Sequence, residues 1–431
     1  MQSSVAIKRR PRIFYGWYIV GASILMNTYL SLSFFQGFQV FFLPILNEFQ
    51  WSRAATSGAF SLRQLETGVL APLVGILADR WGVRRVIFIG VVIGGLGMMA
   101  LAFINSIWTF YLAFTVVSIG VSGASHGVTW VTAVANWFRR LRGRALGLAM
   151  LGPVVAGPFV ASVALLEEAL GWRQAVFFLG VGLLIVGIPL SLVARSKPEE
   201  RGDHPDGDLP AQEAAQVGSR TAPARVADVQ GFTTGQALRS RAFWALSLVF
   251  GIHSIVSGGV MVHLIPLLEG AQYSTSQAAG ILGMVFLLSG VGRMGVGIMV
   301  DWFDRRAVVA GLFLAMAVGL WVLTRISGPS WWQMSLFLVF YGVGFGGSIP
   351  LRPYLVREFF GARSFGSIQG LVQGVAIGAG VAGPVFYGWI FDVTESYDLA
   401  LYVTIGMTVI AAPLALLLGS APGGRGKGGV A

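Results

Sequence analysis

Four ionisable side chains lie inside long apolar runs of the sequence: Arg63, Glu66, Arg293 and Arg352. An arginine at the centre of a membrane-spanning helix costs about 2.5 to 3.5 kcal/mol on insertion scales, so such residues usually face a water-filled cavity and serve function. Here three positive charges stand against one negative charge. The interior therefore favours an anion over a cation as its ligand.

Arg293 is the strongest candidate to bind that anion, because no acidic residue in its own apolar run could neutralise it. A guanidinium can hold a carboxylate through two parallel hydrogen bonds, which is a strong and geometrically specific contact. Arg352, between Pro350 and Pro353, ranks second, since its side chain could instead extend to the membrane surface. Further hydrogen bonds to the anion are expected from Ser289, Tyr341, Gln369 and Gln373. The alternative for Arg293 is a structural ion pair with Glu66.

Three histidines, His126, His253 and His263, also fall within apolar runs. Imidazole has the unperturbed pKa nearest physiological pH, so His126 and His263 are candidates to line the cavity, and His263 is a candidate to gain and lose a proton there. Arg63 and Glu66 share a helix face and are either further coupling candidates or a purely structural pair. No metal-site spacing joins the histidines, and we expect neither a metal nor a cofactor.

Twelve long apolar runs must position these side chains. Hydrophobic residues make up 55% of the chain and charged residues only 11%, against about a quarter charged in a soluble domain. Each run can cross roughly 30 Å of hydrocarbon at 1.5 Å per residue. The runs cover residues 16–42, 54–77, 83–104, 108–137, 145–166, 172–194, 242–268, 276–300, 307–326, 331–356, 365–391 and 400–418. The sequence predicts an all-α membrane protein with twelve transmembrane helices.

The basic residues predict the orientation of these helices. With the N-terminus inside, the cytoplasmic segments hold 24 of the 30 basic residues, as expected because Lys and Arg near helix ends are retained on the cytoplasmic side. We expect a monomeric, multi-pass protein of the cell inner membrane with both termini cytoplasmic. The same asymmetry explains the net charge of +11 without a nucleic-acid partner. Membrane lipid is the expected partner of its surface.

A repeated motif divides the chain into two halves. Gly75, Asp79 and Arg84 recur as Gly297, Asp301 and Arg306, at a constant offset of 222 residues. We predict two pseudo-symmetric six-helix bundles at residues 1–194 and 241–420, a cytoplasmic linker at 195–240 and a disordered tail at 421–431. Glycines let helices approach, an aspartate can cap a helix start, and arginines can reach carboxylates or lipid phosphates. The predicted gating residues are Gly75, Asp79, Arg80, Arg84, Gly297, Asp301 and Arg306.

The segment from Gly75 to Arg85 resembles the motif that the major facilitator superfamily carries between helices two and three. The segment from Gly292 to Asp301 is similar to helix eight of the monocarboxylate porters and the oxalate:formate antiporters, where the resemblance implies that the arginine binds the substrate carboxylate. Animal monocarboxylate porters have an aspartate where Ser289 stands here, so proton coupling is left open. Oxalate carriers have a second cation in helix eleven where Ala376 stands, so a dicarboxylate clamp is not expected.

These features predict a secondary active transporter of small organic anions, above all monocarboxylates, that works by alternating access. The alternative is a drug or metabolite exporter of the same fold. An enzyme is not expected, because neither His-Glu-x-x-His nor paired intramembrane carboxylates occur in the sequence.

Overall fold

The computed structural model describes residues 14–125, 129–138, 140–207, 231–361 and 363–416. Twelve long helices, α1 to α12, dominate this part of the chain. The first six are Tyr15–Phe49, Arg53–Trp81, Val83–Leu101, Ile107–Trp137, Arg144–Leu170 and Trp172–Val193, with α4 described on either side of residues 126–128. The second six are Arg241–Gly270, Thr275–Trp302, Arg305–Leu323, Trp331–Phe360, Ser367–Thr394 and Asp398–Leu416.

Among the described helices, eleven are long and apolar enough to cross a membrane. The twelfth long helix is α2, which carries Arg63 and Glu66. Its 29 residues exceed the roughly 20 that a span requires, and it packs between α4 and α11. The predicted all-α fold with twelve transmembrane helices is confirmed.

The two six-helix halves repeat the same pattern of helix packing. In the first half α1 packs on α5, α2 on α4 and α3 on α6. In the second half α7 packs on α11, α8 on α10 and α9 on α12. Each pair in the second half involves helices six positions later than its counterpart, so the pseudo-symmetry expected from the repeated motif is present in the packing.

Contacts of the termini and the linker define one end of the molecule, here called the terminal end. The Tyr15 hydroxyl donates to the Val193 carbonyl at 2.9 Å, and Val83 N–H donates to Ser196 Oγ at 3.0 Å. On the other side of the linker, Phe232 N–H donates to the Phe360 carbonyl at 2.8 Å. The opposite end, where α1 ends and α2 begins, is called the distal end. The domain boundaries at residues 195, 241 and 421 stay predictions.

Glycines bring helices of the two halves into backbone contact. A Cβ atom built on Gly283 of α8 would lie 1.8 Å from the Gly157 carbonyl oxygen of α5. A Cβ on Gly388 of α11 would lie 2.7 Å from the backbone nitrogen of Ala54 in α2. No larger residue fits at Gly283 or Gly388 without displacing the backbone of the other half.

Two of the central helices depart from α-helical geometry within the span. Helix α1 contains a π turn at Ser31–Phe35 followed by a 3-10 turn at Gly37–Phe41. Helix α10 contains a π turn at Leu338–Gly342. Such single turns leave backbone groups out of the regular pattern and are frequent at functional sites.

Candidate substrate site and gates

Arg293 lies on α8, which packs against α5 of the other half and α10 of its own half. Helix α8 begins at a capping box formed by Ser274 and Gln277, which fixes its start at Thr275. A Cβ on Gly290 would lie 2.9 Å from the Val154 side chain of α5 in the other half. Because residues three and four apart share a helix face, Arg293 follows Gly290 along the face that meets the other half.

The Arg293 side chain has no acidic partner in the described part of the chain. It is half-buried, and its Nε atom is buried without a hydrogen-bond acceptor. An ion pair with Glu66, the structural alternative, is absent in this conformation among the described residues, and Glu66 Oε2 is likewise buried without a hydrogen-bond partner. A carboxylate ligand could supply the acceptor that Arg293 lacks.

Ser289 is the polar residue closest to Arg293 along the helix, one turn earlier. It is fully buried, and its hydroxyl donates to the Phe286 carbonyl at 2.7 Å. A Cβ on Gly346 of α10 would lie 2.1 Å from the Ser289 carbonyl oxygen, so α8 and α10 touch at this level. The lone pairs of the Ser289 hydroxyl remain free to accept, whereas its proton is engaged.

The other predicted ligands lie on α10 and α11. Tyr341 is fully buried in the π turn of α10, its ring stacks between Phe337 and Phe345, and its hydroxyl has no hydrogen-bond partner. Gln369, with Oε1 buried and unpaired, and Gln373, which is half-buried, lie one turn apart on α11. In the described residues no hydrogen bond joins these groups to Arg293.

Arg352 lies on α10 about three turns after Tyr341, towards the terminal end of the helix. Its Nε atom is also buried without an acceptor. The neighbouring His253 ring of α7 stacks on Phe345 at 5.8 Å between ring centroids. Arg293 and Arg352 are thus two half-buried guanidinium groups on adjacent helices, each with an unsatisfied Nε.

Arg63 and Glu66 occupy a different environment, in the first half. The Arg63 guanidinium lies 5.5, 5.3 and 5.8 Å from the ring centroids of Phe34, Phe35 and Phe60. Rings at this distance attract a cation through their π faces. Glu66 acts electrostatically on the same guanidinium. This aromatic cage holds Arg63 beside the π turn of α1, and the coupling role of the pair stays a prediction.

His263 joins the two halves near the distal end. Its Nε2 lies 2.9 Å from both Ser57 Oγ of α2 and the Pro384 carbonyl oxygen, and its Nδ1 lies 3.0 Å from the Tyr397 hydroxyl. A carbonyl oxygen can only accept, so Nε2 carries the proton and Nδ1 accepts from Tyr397. In the neutral Nε2–H tautomer the single Nε2 proton is shared between the Pro384 carbonyl oxygen and Ser57 Oγ.

The first turn of α2 is held by the other half as well. Both carboxylate oxygens of Asp392 in α11 accept backbone N–H groups, from Arg53 and Ala54, at 2.8 Å each. The Arg53 guanidinium donates to the Tyr397 hydroxyl and lies 3.6 Å from the Phe391 ring centroid. Asp392 therefore caps the start of α2 from across the interface, where a negative charge also favours the helix dipole.

One turn beyond Ser57, the Ser61 hydroxyl donates to the Val381 carbonyl at 2.7 Å. We call the whole set the distal latch; its members are Arg53, Ala54, Ser57, Ser61, His263, Val381, Pro384, Asp392 and Tyr397. Among the described residues, every hydrogen bond between helices of the two halves belongs to it. Of this set, the sequence alone points only to His263. The polar residues Arg53, Ser57 and Ser61 at four-residue spacing were the available signal.

At the terminal end, the structure describes only some of the predicted gating residues in full. Gly75, Asp79 and Arg80 lie on α2 and Arg84 lies on α3, whereas only the backbone is described at Gly297 and Asp301 of α8. His126 lies outside the described residues. Arg306 pairs with Asp304 at 3.0 Å, and Asp304 also accepts the Arg306 backbone N–H as the cap of α9. The Arg306 guanidinium holds the pKa of that carboxyl below its usual range.

Comparison with known sequences identifies the family. The sequence model described as Major Facilitator Superfamily matches residues 24–308 and 296–430. The chain is 26% identical to human monocarboxylate transporter 2 over 438 residues, which cover 98% of this chain and 88% of that protein. It is 24% identical to the uncharacterized MFS-type transporter YcxA of Bacillus subtilis (strain 168), over 89% of this chain and 91% of that protein.

Solved structures share the fold at lower sequence identity. A bacterial homologue of the human lysosomal transporter Spinster, in an inward-facing and unoccupied conformation, superposes with a TM-score of 0.72 at 19% identity, over 94% of this chain and 97% of that chain. A mutant of the nucleoside transporter NupG gives a TM-score of 0.71 at 13% identity, over 94% and 100% of the two chains. The twelve-helix fold, the repeated packing and the family match agree: the chain belongs to the major facilitator superfamily and is a membrane transporter, not an enzyme.

Proposed function

We propose that the protein carries small monocarboxylates across the cell inner membrane by alternating access, and that Arg293 binds the substrate carboxylate. The observation that carries this proposal is the half-buried Arg293 guanidinium, whose Nε lacks an acceptor and which has no acidic partner among the described residues. A guanidinium in that state is a strong, directional site for a carboxylate. The similarity to monocarboxylate transporters along nearly the whole chain supports the same substrate class.

The distal latch supports the alternating-access part of the proposal. The described hydrogen bonds between the halves are confined to the distal end, so the two halves are tied there in this conformation. With both termini in the cytoplasm, as the distribution of basic residues predicts, this is the inward-facing state of the transport cycle. Reporter fusions to each terminus would test the orientation; a periplasmic signal from either fusion would contradict it.

Transport by the purified protein in liposomes tests the substrate assignment. We expect uptake of labelled lactate and pyruvate by the parent chain, and loss of at least about tenfold in Arg293→Ala, because one charge-assisted hydrogen bond is worth about 1.5 to 3 kcal/mol. Arg293→Lys should also be impaired, since a point charge loses the bidentate geometry. Undiminished transport by Arg293→Ala would reject the assignment.

Arg325→Ala is the matched control for these variants. Arg325 is an exposed arginine near the distal end, beyond α9, with its guanidinium 5.3 Å from the Trp321 ring centroid. The substitution removes the same charge without touching α8, so uptake should stay at the parent level.

Repeating the uptake with and without a pH gradient tests proton coupling, in which Arg63, Glu66 and His263 are the candidate participants. Uptake that is indifferent to the gradient would remove that role.

Export of amphipathic compounds is the second candidate function, and one observation favours it. A cavity of about 550 Å³ lies between α5, α8 and α10 near the distal end. Its apolar lining includes Pro158, Ile281, Met284, Trp331, Met334 and Leu338. A cavity of this size and polarity is suited to a drug-sized apolar ligand. Thermal stabilisation by bulky amphipaths, without stabilisation by carboxylates, would favour this function over monocarboxylate transport.

A further inference from the structure

A polar cavity of about 620 Å³ opens at the terminal end, where α2 ends and α3 begins. Its walls are the turn between these helices, one face of α4, and the residues that follow α6. The charged lining residues are Asp79, Arg80, Arg84, Arg85, Arg195, Lys197 and Glu200. Among the described lining residues, five cations therefore stand against two carboxylates, which leaves a net charge of +3 for an anion to neutralise.

The seven charged side chains of this cavity do not neutralise one another. None makes a hydrogen bond or an ion pair with another residue in the described part of the chain. The Nε atom of Arg195 is in addition buried without an acceptor. Leaving a buried donor unsatisfied is unfavourable, and an anionic ligand with several oxygen acceptors would satisfy it.

The start of α3 adds backbone donors to the same cavity. Gly82 is the N-cap residue, at φ 80°, and provides no side-chain acceptor for the helix. The Val83 N–H is satisfied by Ser196 Oγ, whereas the first-turn N–H groups that follow have no acceptor within the helix. A helix N-terminus with free N–H groups favours phosphate or carboxylate oxygens. The free N–H groups at the start of α3 therefore add to the preference of the five cations for an anion.

Trp81 indicates at what depth the cavity lies. It lines the cavity and is 49% exposed, at the last residue of α2. Tryptophan is enriched where transmembrane helices cross the membrane surface, at the level of the lipid headgroups. The apolar α3 enters the span directly from this point. The cavity is thus at the height of the phosphates of the surrounding lipids and opens beside them.

We propose that this cavity binds the phosphate group of an anionic phospholipid headgroup, with Arg195 and Lys197 contributing contacts from the start of the linker. The site is separate from Arg293 and does not depend on which solute the protein carries. Binding would fasten the first residues of the linker to the α2–α3 turn, through Ser196 and its hydrogen bond to Val83.

Thermal unfolding of the purified full chain in non-ionic detergent tests the site. Phosphatidylglycerol is titrated, with phosphatidylcholine and soluble glycerol phosphate as separate arms at the same concentrations. We expect phosphatidylglycerol to raise the midpoint of unfolding, and the other two compounds to leave it unchanged. An equal shift from phosphatidylcholine would overturn the anion selectivity, and an equal shift from glycerol phosphate would overturn the lipid assignment.

Variants of the linker side of the cavity make the test specific. The double variant Arg195→Gln/Lys197→Gln should bind phosphatidylglycerol about thirtyfold more weakly, because each basic residue near an anionic lipid surface contributes about 1 kcal/mol. The double variant Arg239→Gln/Arg241→Gln removes the same charge from the terminal end outside the cavity and should bind like the parent. Equal weakening in the two doubles would contradict a defined site.

A variant that gains affinity separates binding from misfolding. Glu200→Gln removes one of the two carboxylates and should tighten phosphatidylglycerol binding about fivefold, because the net charge of the lining rises. A destabilised protein could not produce that result. Unchanged affinity in Glu200→Gln, together with parent-like affinity in Arg195→Gln/Lys197→Gln, would refute the proposal.

Discussion

Replacing Asp392 with alanine should loosen the distal latch. Its carboxylate accepts the backbone N–H groups of Arg53 and Ala54 at 2.8 Å each, and it is the residue of the other half that caps α2. Alanine removes both acceptors and the charge that favours the helix start. The fold of each half should survive, because Asp392 is exposed and makes these bonds only across the interface.

The magnitude follows from the two bonds that are lost. Removing a capping acceptor costs about 0.5 to 2 kcal/mol, typically about 1. Water can reach the freed N–H groups at this exposed position, which keeps the cost towards the lower part of that range for each bond. We therefore expect the closed state of the latch to lose about 1 to 2 kcal/mol. That loss raises the open fraction about five- to thirtyfold.

A cysteine reporter can measure that fraction, because the chain has no native cysteine. Ser57→Cys places a thiol at a fully buried position that contacts His263 across the interface. When opening and closing are faster than the chemistry, the rate of maleimide labelling is proportional to the open population. Ser57→Cys/Asp392→Ala should therefore label about five to thirty times faster than Ser57→Cys alone.

Glu395→Ala in the same reporter background is the matched control. Glu395 is an exposed carboxylate three residues after Asp392, and its side chain makes no hydrogen bond to the described residues. Its removal should leave the labelling rate unchanged. Equal labelling of the Asp392→Ala and parent reporters, or equal acceleration by Glu395→Ala, would show that capping of α2 does not hold the distal end closed.

Three further substitutions probe other contacts. Gly283→Ala should destabilise the protein by about 1 to 3 kcal/mol and lower its thermal midpoint, because the added Cβ would lie 1.8 Å from the Gly157 carbonyl oxygen. Gly280→Ala should leave the midpoint unchanged, because its Cβ would lie 3.9 Å from the nearest atom. Tyr397→Phe removes the acceptor of the Arg53 guanidinium and the donor to His263 Nδ1, and should accelerate labelling at position 57 about fivefold; an unchanged rate would show that this hydroxyl does not hold the latch closed. The pKa of Asp304 is lowered, so its contribution to stability is present above its ordinary pKa and is lost as the pH falls through the lowered value. We expect this contribution to be below about 1 kcal/mol, and Asp304→Asn should remove the corresponding pH dependence of the thermal midpoint.

The helices could be predicted from the sequence because a bilayer leaves the backbone few options. Every N–H and C=O in the hydrocarbon must be satisfied internally, so twelve apolar runs translate into twelve helices. The position of Arg293 one turn beyond Ser289 follows from helical spacing in the same way. The π turns in α1 and α10 could not be predicted, because nothing in the residues of Ser31–Phe35 or Leu338–Gly342 distinguishes them from ordinary helix.

The distal latch could not be predicted from the sequence, for a different reason. Asp392 and Arg53 are 339 residues apart, and no local pattern specifies which distant carboxylate caps a given helix. Arg53 is the first residue of α2, and its guanidinium lies against Phe391 of the other half. His263 was selected for its chemistry, but its partners Ser57 and Tyr397 emerge only when α2, α7 and the start of α12 meet.

The backbone contact between Gly157 and Gly283 is a candidate pivot point between the two halves. Neither residue has a side chain to compress, so the halves cannot approach further at that point, and in the proposed alternating-access cycle they would turn about it. From Gly283 to Trp302 the rest of α8 forms a lever about 28 Å long at 1.5 Å per residue. Each rotation of about 10° therefore swings the tip of that lever through about 5 Å, enough to admit or exclude a small solute.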